Sequence, residues 1–580
     1  MKKSHILIGA VALCSACQKT PPNVIVILAD DQGWGDLSIN GNRTIETPNI
    51  DRIGREGIQM DNFYVCPVSA PTRSELLTGK FAYKSGVVGV SEGLERMNPE
   101  MKTIANVFNE AGYGTALFGK WHNGTQYPYH PNARGFDEFY GFCSGHWGSY
   151  IDTPLLDHNG EIVTGEGFLS DEITQHAMDY IEDSGDKPFF VVLSMNIPHS
   201  PMQVTDEWWD EWKDKEVLQD ATNSKGEDKV FTRAALALSD NVDWNVGRVL
   251  KFLEDKKKMD NTIIVYLSDN GPNSNRWNGE MKGIKASVDE GGVRSSLLMR
   301  WGDKLPKGST VPQLSGVVDL LPTLSSLCGI DPKVNDLDGL DMSDYILGEK
   351  TTPVSRELIS MWGDKVGLRK DGYLLSSDNE LYNIIEDRKQ LKPLAKEGEL
   401  YNSMQSLRLD YLSDMAEVAK TYEIRPYTVG HKDEKYSRLP ARDAIYEGGI
   451  IRSNKYPNCS YLLNWASPED KIIWDVDVLE EGTFEVFLYY TCDSSSIGSS
   501  ITCSSNTDSL TKVLDVSADS ELHAAQFDRV ERGESPMLKF QPWSMGEITL
   551  QAGKQQIVLS AQNIKSDNVM NMSLLVLKRI

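Results

Sequence analysis

Two polar doublets stand immediately after short apolar runs: Asp30–Asp31 after VIVILA and Asp269–Asn270 after TIIVYLS. Asp30, Asp31, Asp269 and Asn270 supply hard oxygen ligands of the kind that hold Ca²⁺ or Mg²⁺. Taken singly, each doublet is equally a strand-end turn. The stretch VSAPTRSELLTG at 68–79 puts Ser69 at a helical start, with Pro71 in the first turn and Arg73 one turn on. A helix N-terminus offers free N–H groups and a positive dipole end to an anion, and Arg73 adds a fork of donors. An ordinary Ser N-cap has the same local pattern. Lys120 and His122 in GKWH and His199 in PHSP follow two more apolar runs, and Lys285 opens KASVDEGGVR. Any one of these alone reads as packing or a solvated charge.

The elements that would carry these residues decide between the readings. Val24–Leu28, Thr115–Phe118, Phe189–Leu193 and Thr262–Leu267 are short and rich in β-branched or aromatic residues. Helix-like stretches, such as Met101–Ala111 and Arg233–Lys256, lie between them. Continuous apolar strands separated by helices predict a mainly parallel sheet covered on both faces. The polar residues follow the carboxyl end of each strand, where ligands bind in open α/β sheets. The sequence therefore predicts one crevice shared by four strands.

At this point the motifs resemble a known family. VSAPTRSELLTG is similar to the signature of type I, formylglycine-dependent sulfatases, in which a Cys or Ser followed by x-Pro-x-Arg is converted to formylglycine. ILADDQGWGD at 27–36, GKWH at 119–122, GFDEFYGF at 135–142, PHSP at 198–201, LSDNG at 267–271 and KASVDEGGVR at 285–294 resemble the same family, in family order. Cys66 does not fit the spacing to Pro71 and Arg73, so Ser69 takes the nucleophile position and the chain resembles the Ser-type variant. Thr72 stands where Ser or Ala is more usual. The resemblance implies an alkaline-phosphatase-like α/β fold and one Ca²⁺ held by Asp30, Asp31, Asp269, Asn270 and the modified residue 69. It implies a hydrated formylglycine as nucleophile, His122 accepting a proton, and Lys120, Lys285 and Arg73 offsetting the sulfuryl charge. His199, with Lys285, would protonate the leaving alkoxide. Glu290 to Arg294 reads instead as structural, glycines in a turn and a buried Glu–Arg pair.

Two other readings compete. An alkaline-phosphatase-superfamily phosphohydrolase shares the sheet, but needs a second metal with His ligands. The nine His here form no His-x-x-x-His pair. A non-catalytic sulfoglycan-binding lipoprotein would leave Ser69 unoxidised, yet Lys120, His122, His199 and Lys285 are all intact. The expected activity is therefore exo-acting hydrolysis of glycan sulfate esters, with galactose or N-acetylgalactosamine 4-O- or 6-O-sulfate leading. Sugar recognition is expected from His146, Arg276 and Trp277 in two long loops, with Trp34 or Trp147 as further stacking partners.

The rest of the chain sets the context. Among 580 residues, 84 Asp+Glu outnumber 59 Lys+Arg, a net charge of −25. That balance excludes a nucleic-acid partner, whose phosphates need cations. It also requires a local cationic pocket for any anionic substrate. Residues 1–17 read as a secretory signal, with Lys2, Lys3, an apolar run from Ile6 to Leu13 and small residues before Cys17. Cys17 is the expected lipidation site, anchoring the protein to the outer membrane within the periplasm, with surface display not indicated. An anaerobic radical-type maturating enzyme is the expected partner for Ser69. The remaining Cys suggest no zinc site, and Cys492 and Cys503 read either as a pair in an oxidising compartment or, the favoured reading, as two unpaired buried thiols. The expected divisions are a catalytic α/β domain at 22–330, a small antiparallel C-terminal subdomain at 331–425, a charged linker at 423–442 and a β-sandwich at 443–580. The sandwich loosely resembles carbohydrate-binding modules, with Trp465, Trp474 and Trp543 either binding sugar or filling its core.

Overall fold

The computed structural model describes residues 20–221 and 226–580, so the signal segment and Cys17 lie outside the described residues. The central sheet has ten strands. In chain order they are β1 (Asn23–Ala29), β2 (Ile58–Met60), β3 (Gly114–Lys120), β4 (Glu138–Phe142), β5 (Leu156–His158), β6 (Glu161–Val163), β7 (Phe189–Ser194), β8 (Thr262–Ser268), β9 (Leu297–Arg300) and β10 (Ser309–Val311). Their spatial order is β10-β2-β9-β8-β1-β7-β3-β4-β5-β6. The contiguous run from β8 to β4 is parallel, whereas β9 pairs antiparallel with β8 and β5 antiparallel with β4. The sheet is thus mixed and mainly parallel, as the apolar runs predict.

Burial on both faces explains why those runs do not alternate with polar residues. In β1, Ile25, Ile27 and Ala29 join one apolar cluster and Val24, Val26 and Leu28 the other. The first cluster is roofed by α1 (Pro48–Arg55), α4 (Leu169–Asp183) and α5 (Lys229–Asp255), the second by α2 (Ser69–Thr78), α3 (Ile104–Glu110) and α6 (Leu320–Leu327). Each buried Val, Leu or Ile contributes about 1.5–3 kcal/mol of transfer free energy. Polar groups at the strand ends can therefore be held rigidly without contributing to the core.

Beyond the sheet, Glu357–Trp362, Lys365–Lys370, Tyr373–Leu375 and Leu381–Asn383 form a four-stranded antiparallel sheet, packed by α7 (Glu399–Thr421). It is bolted to the central unit through Glu290. Arg294 Nη1 donates to Glu290 Oε2 at 3.0 Å, and Arg369 Nε to Oε1 at 2.8 Å. All three side chains are buried, so the Glu–Arg pair expected within the 290–294 motif is a triad that recruits a distant Arg. The glycines between them allow close approach: a Cβ at Gly291 would lie 2.2 Å from the Gly283 carbonyl oxygen.

Two six-stranded sheets complete the chain as a sandwich around a third core. Trp465, Trp474 and Trp543 are buried in that core and present no sugar-stacking surface. Cys492 and Cys503 are buried free thiols. The segment expected as a linker is instead part of the sandwich, since Tyr427–Val429 pairs with Lys471–Val478 and Tyr436–Pro440 with Asn571–Arg579. Charges that resemble a linker in the sequence are paired across the seam: Arg438 Nη1 donates to Asp157 Oδ2 at 2.7 Å. No helix among the described residues is long and apolar enough to cross a membrane.

Removing Glu290 leaves two buried guanidinium groups uncompensated, which costs about 3–5 kcal/mol. Glu290→Ala should show that loss in urea unfolding, and a loss confined to a few tenths of a kcal/mol would deny the triad its structural role.

Candidate active site

Four neighbouring parallel strands, β8, β1, β7 and β3, end at the same edge and deliver Asp269–Asn270, Asp30–Asp31, Ser194 and Lys120. The helix α2 enters from one face with Ser69 as its first residue. The Ser69 hydroxyl donates to Asp269 Oδ2 at 2.5 Å and accepts from Arg73 Nε at 2.9 Å. Arg73 is the residue one helical turn on, so both side chains share one face of α2. Its other nitrogens donate to the Lys120 carbonyl at 3.0 Å, to Ser194 Oγ and to Asp269 Oδ2 at 3.2 Å. Thr72, the departure from the usual signature, has a use here: its hydroxyl donates to the Asp269 carbonyl at 2.6 Å and accepts from the Cys66 N–H at 2.9 Å.

Asp30, Asp31, Asp269 and Asn270 are all buried, at 1% exposure or less. Lys120 Nζ donates to Asp30 Oδ2 at 2.6 Å and Lys285 Nζ sits 2.7 Å from Asp31 Oδ1. Asn270 Nδ2 donates to that same Asp31 oxygen at 2.7 Å, and the Asp31 N–H to Asp269 Oδ1 at 3.1 Å. Burial raises the carboxyls of Asp31 and Asp269, but Lys285 overcomes it at Asp31 and Arg73 at Asp269, so both stay below the ordinary range. At Asp30 burial wins over Lys120 and the carboxyl is pushed well up. Three carboxylates are thus set against three cations, Lys120, Lys285 and Arg73, with ionisation least favoured at Asp30. Among the described residues, Asp30 Oδ1 and Asn270 Oδ1 are buried acceptors without a hydrogen-bond partner. Hard oxygens crowded at one strand edge and unsatisfied acceptors together fit a divalent cation.

The two histidines lie beside this cluster with their tautomers set by backbone carbonyls. His122 Nε2 donates to the Val90 carbonyl at 2.9 Å, leaving Nδ1 as a buried acceptor with no partner among the described residues. Burial and then Lys120 hold its pKa well below the usual histidine value. A Cβ at position 145 would overlap the His122 ring at 2.0 Å, so only Gly145 permits this placement. His199 Nδ1 donates to the Ser200 carbonyl at 2.7 Å, and its Nε2 is 3.6 Å from Asp31 Oδ2. Burial and Lys285 press His199 down to about 3. Asp31 and His122 have φ of 64° and 67°, left-handed backbone that costs roughly 1–2 kcal/mol each and turns their side chains into the crevice.

The three residues expected to bind sugar are distributed differently. Arg276 is buried, with Nε and Nη2 on the Asp36 carboxylate at 2.8 and 2.7 Å, Nη2 also on the Asp31 carbonyl at 3.0 Å, and Nη1 on Asn273 and Ser274. All its donors are engaged within the protein, so Arg276 positions the Asp31 backbone and does not present a hydrogen bond to a sugar. Trp277 lines a surface cleft with Trp34 and Arg43 that includes none of the acidic cluster. Trp147 donates from Nε1 to the Pro154 carbonyl at 2.9 Å and packs on Phe142. Only His146 reaches the site, its ring edge-on to His199 at 5.1 Å between centroids. Sequence reasoning missed Ser194 and Asp36, whose partners are remote in the chain.

Arg276→Ala would leave Asp36 buried and unpaired, a cost of about 3–5 kcal/mol. The measurement is urea unfolding at neutral pH, and a loss below roughly 1 kcal/mol would remove Arg276 from this bracing role.

Comparison with known proteins agrees with this geometry. The family described as Sulfatase matches residues 22–330, over half of the chain. The N-acetylgalactosamine-6-sulfatase of Canis lupus familiaris is 30% identical over 389 residues, covering 60% of this chain and 70% of that protein. Arylsulfatase G of Rattus norvegicus is 28% identical over 387 residues, 57% of this chain and 68% of that one. Among solved structures, Ps i-CgsB in complex with k-i-k-neocarrahexaose is 27% identical with a TM-score of 0.58, covering 70% of this chain and 94% of that one. With the nucleophile helix, the acidic cluster and its cations all inside the matched region, the chain belongs to the sulfatase family and is a sulfuric ester hydrolase.

Proposed function

We propose that the chain is an exo-acting carbohydrate sulfatase that uses formylglycine at position 69 and one Ca²⁺, with galactose or N-acetylgalactosamine 4-O- or 6-O-sulfate as leading substrates. The observation that carries the mechanism is the shared contact of Ser69 Oγ with Arg73 and with Asp269 of the acidic cluster. The saccharide class rests on likeness to an N-acetylgalactosamine-6-sulfatase and to a structure holding a neocarrahexaose.

Asp30, Asp31, Asp269 and Asn270 would hold the ion. When present, the hydrated formylglycine supplies a hydroxyl nucleophile for sulfur and the ion supplies positive charge beside it. Arg73 fixes the oxygen of residue 69 through Nε, while Arg73, Lys120 and Lys285 set three cationic groups where sulfuryl charge grows. His122 is kept neutral by burial, and its free Nδ1 holds the lone pair that accepts a hydroxyl proton. His199 is neutral at rest, so the proton for the leaving alkoxide comes from Lys285. The ammonium is held protonated despite burial, by Asp31, yet an alkoxide is more basic than any amine. His199, with its Nδ1 proton on the Ser200 carbonyl, would donate in its place only after taking up a second proton, which burial and Lys285 both oppose. A radical-type maturating enzyme would install the aldehyde, and lipidation of Cys17 would hold the protein in the periplasm.

Mass spectrometry of the Ser69 peptide after anaerobic co-expression with a maturase tests the central claim. The peptide should be lighter by two hydrogens, and an unmodified Ser in an active enzyme would refute the assignment. Asp269→Ala should lower kcat by at least about 10²–10³ in a chain that still folds, because relief of the repulsion among three carboxylates offsets part of the loss of Arg73's partner. Chelation should abolish activity and Ca²⁺ restore it. Wild-type rates after exhaustive chelation would exclude a catalytic cation.

A further inference from the structure

The family match ends at residue 330, yet the crevice has a wall built from a much later part of the chain. The segment from His523 to Met537 leaves the sandwich and is stitched to the two loops that flank the site. Toward the loop after β7, the Val204 N–H donates to the Phe527 carbonyl at 3.1 Å and the Arg529 N–H to the Met202 carbonyl at 3.0 Å. Toward the loop after β4, Arg532 Nη1 donates to the Gly148 carbonyl at 2.7 Å and His523 pairs with the Ile151 carbonyl at 2.9 Å. This segment brings Glu534 to the His146 ring, with Oε1 3.6 Å from Nε2.

That distance is too long for a hydrogen bond, and both atoms are buried without any partner among the described residues. His146 is itself only 2% exposed. Burial keeps its imidazole neutral, so no ion pair ties the two groups together. A hydroxyl oxygen at about 2.8 Å from each would close the triangle, donating to the carboxylate and accepting from the imidazole N–H. Arg532, the nearest cation on the same segment, is forked onto Asp528 at 2.7 Å from both Nε and Nη2.

We infer that the C-terminal sandwich is an integral wall of the substrate pocket and that Glu534, with His146, is a specificity-determining pair for a neutral sugar hydroxyl beside the sulfate ester. This inference rests on the carbohydrate sulfatase reading. It excludes a carboxylate or second sulfate at that position, since either would face the Glu534 charge at close range in a dry pocket. It also replaces the idea of a detachable sugar-binding module, because the sandwich meets the sugar at the reacting residue and not on a remote face.

The test uses the full matured chain. Three probes are compared: the monosulfated galactose or N-acetylgalactosamine turned over fastest, the same sugar with a second sulfate, and 4-nitrophenyl sulfate. Glu534→Ala should lower kcat/KM on the monosulfated sugar about 10- to 100-fold while leaving the aryl ester nearly unchanged. Glu534→Gln, which preserves shape and should preserve Tm, should raise the ratio of disulfated to monosulfated turnover. Equal losses on sugar and aryl esters, or an unchanged ratio in Glu534→Gln, would overturn the inference. An unaltered chain active on the aryl ester but on no sugar would overturn the glycan reading and this inference with it. Inactivity of the unaltered chain on all three would overturn the sulfatase mechanism itself.

Discussion

Three carboxylates, Asp30, Asp31 and Asp269, are packed at one strand edge with essentially no access to water. Bringing such charges together out of water is opposed by both desolvation and mutual repulsion. Everything around them answers that cost. Lys120 comes from the next-but-one strand, Arg73 from the helix above and Lys285 from the loop beyond β8, each aimed at a different carboxylate. The same three cations are what a sulfate ester needs, so the groups that make the acidic cluster tolerable also make the crevice attractive to an anion. This resolves the conflict between a chain of charge −25 and an anionic substrate.

The cluster holds its geometry because its supports are themselves buried and paired. Arg276 braces the Asp31 carbonyl from a closed set of contacts, and Ser194 receives Arg73 from the end of β7. Left-handed backbone at Asp31 and His122 is stable only where such packing over-determines it. Further out, Glu290 joins Arg294 and Arg369, so the small antiparallel sheet is anchored to the loop carrying Lys285. Preorganisation of this kind is what lets electrostatic stabilisation act without rearrangement at the moment of reaction.

The sandwich extends the same logic to the other side of the crevice. Its seam with the catalytic unit combines apolar packing of Phe527 and Val530 on the catalytic core with polar contacts, Arg438 on Asp157, Arg442 on Ser144 and Arg529 on the Val204 carbonyl. The directional polar contacts set register, which the apolar packing alone would leave free to slide. They hold the Glu534 segment against the loops that carry His146 and His199.

Much of this was legible in the chain itself. Apolar runs without alternation revealed strands buried on both faces, and the residues following them named the catalytic edge, because a parallel sheet gathers its carboxyl ends in one place. Ser69 and Arg73 were readable because one helical turn separates them. The sandwich strands were legible from their alternation, as for Lys471–Val478. What the sequence could not decide was the partner of any long polar side chain. Arg276 reads as a free loop donor until Asp36 is seen beneath it. The charges of Glu423 to Arg442 read as a solvated linker until Asp157 is seen across the seam, and Glu534 carries no local signal. Spacing along the chain determines which residues share a strand end or a helix face. Only the tertiary structure brings together groups hundreds of residues apart, and for buried charges that partner decides the role.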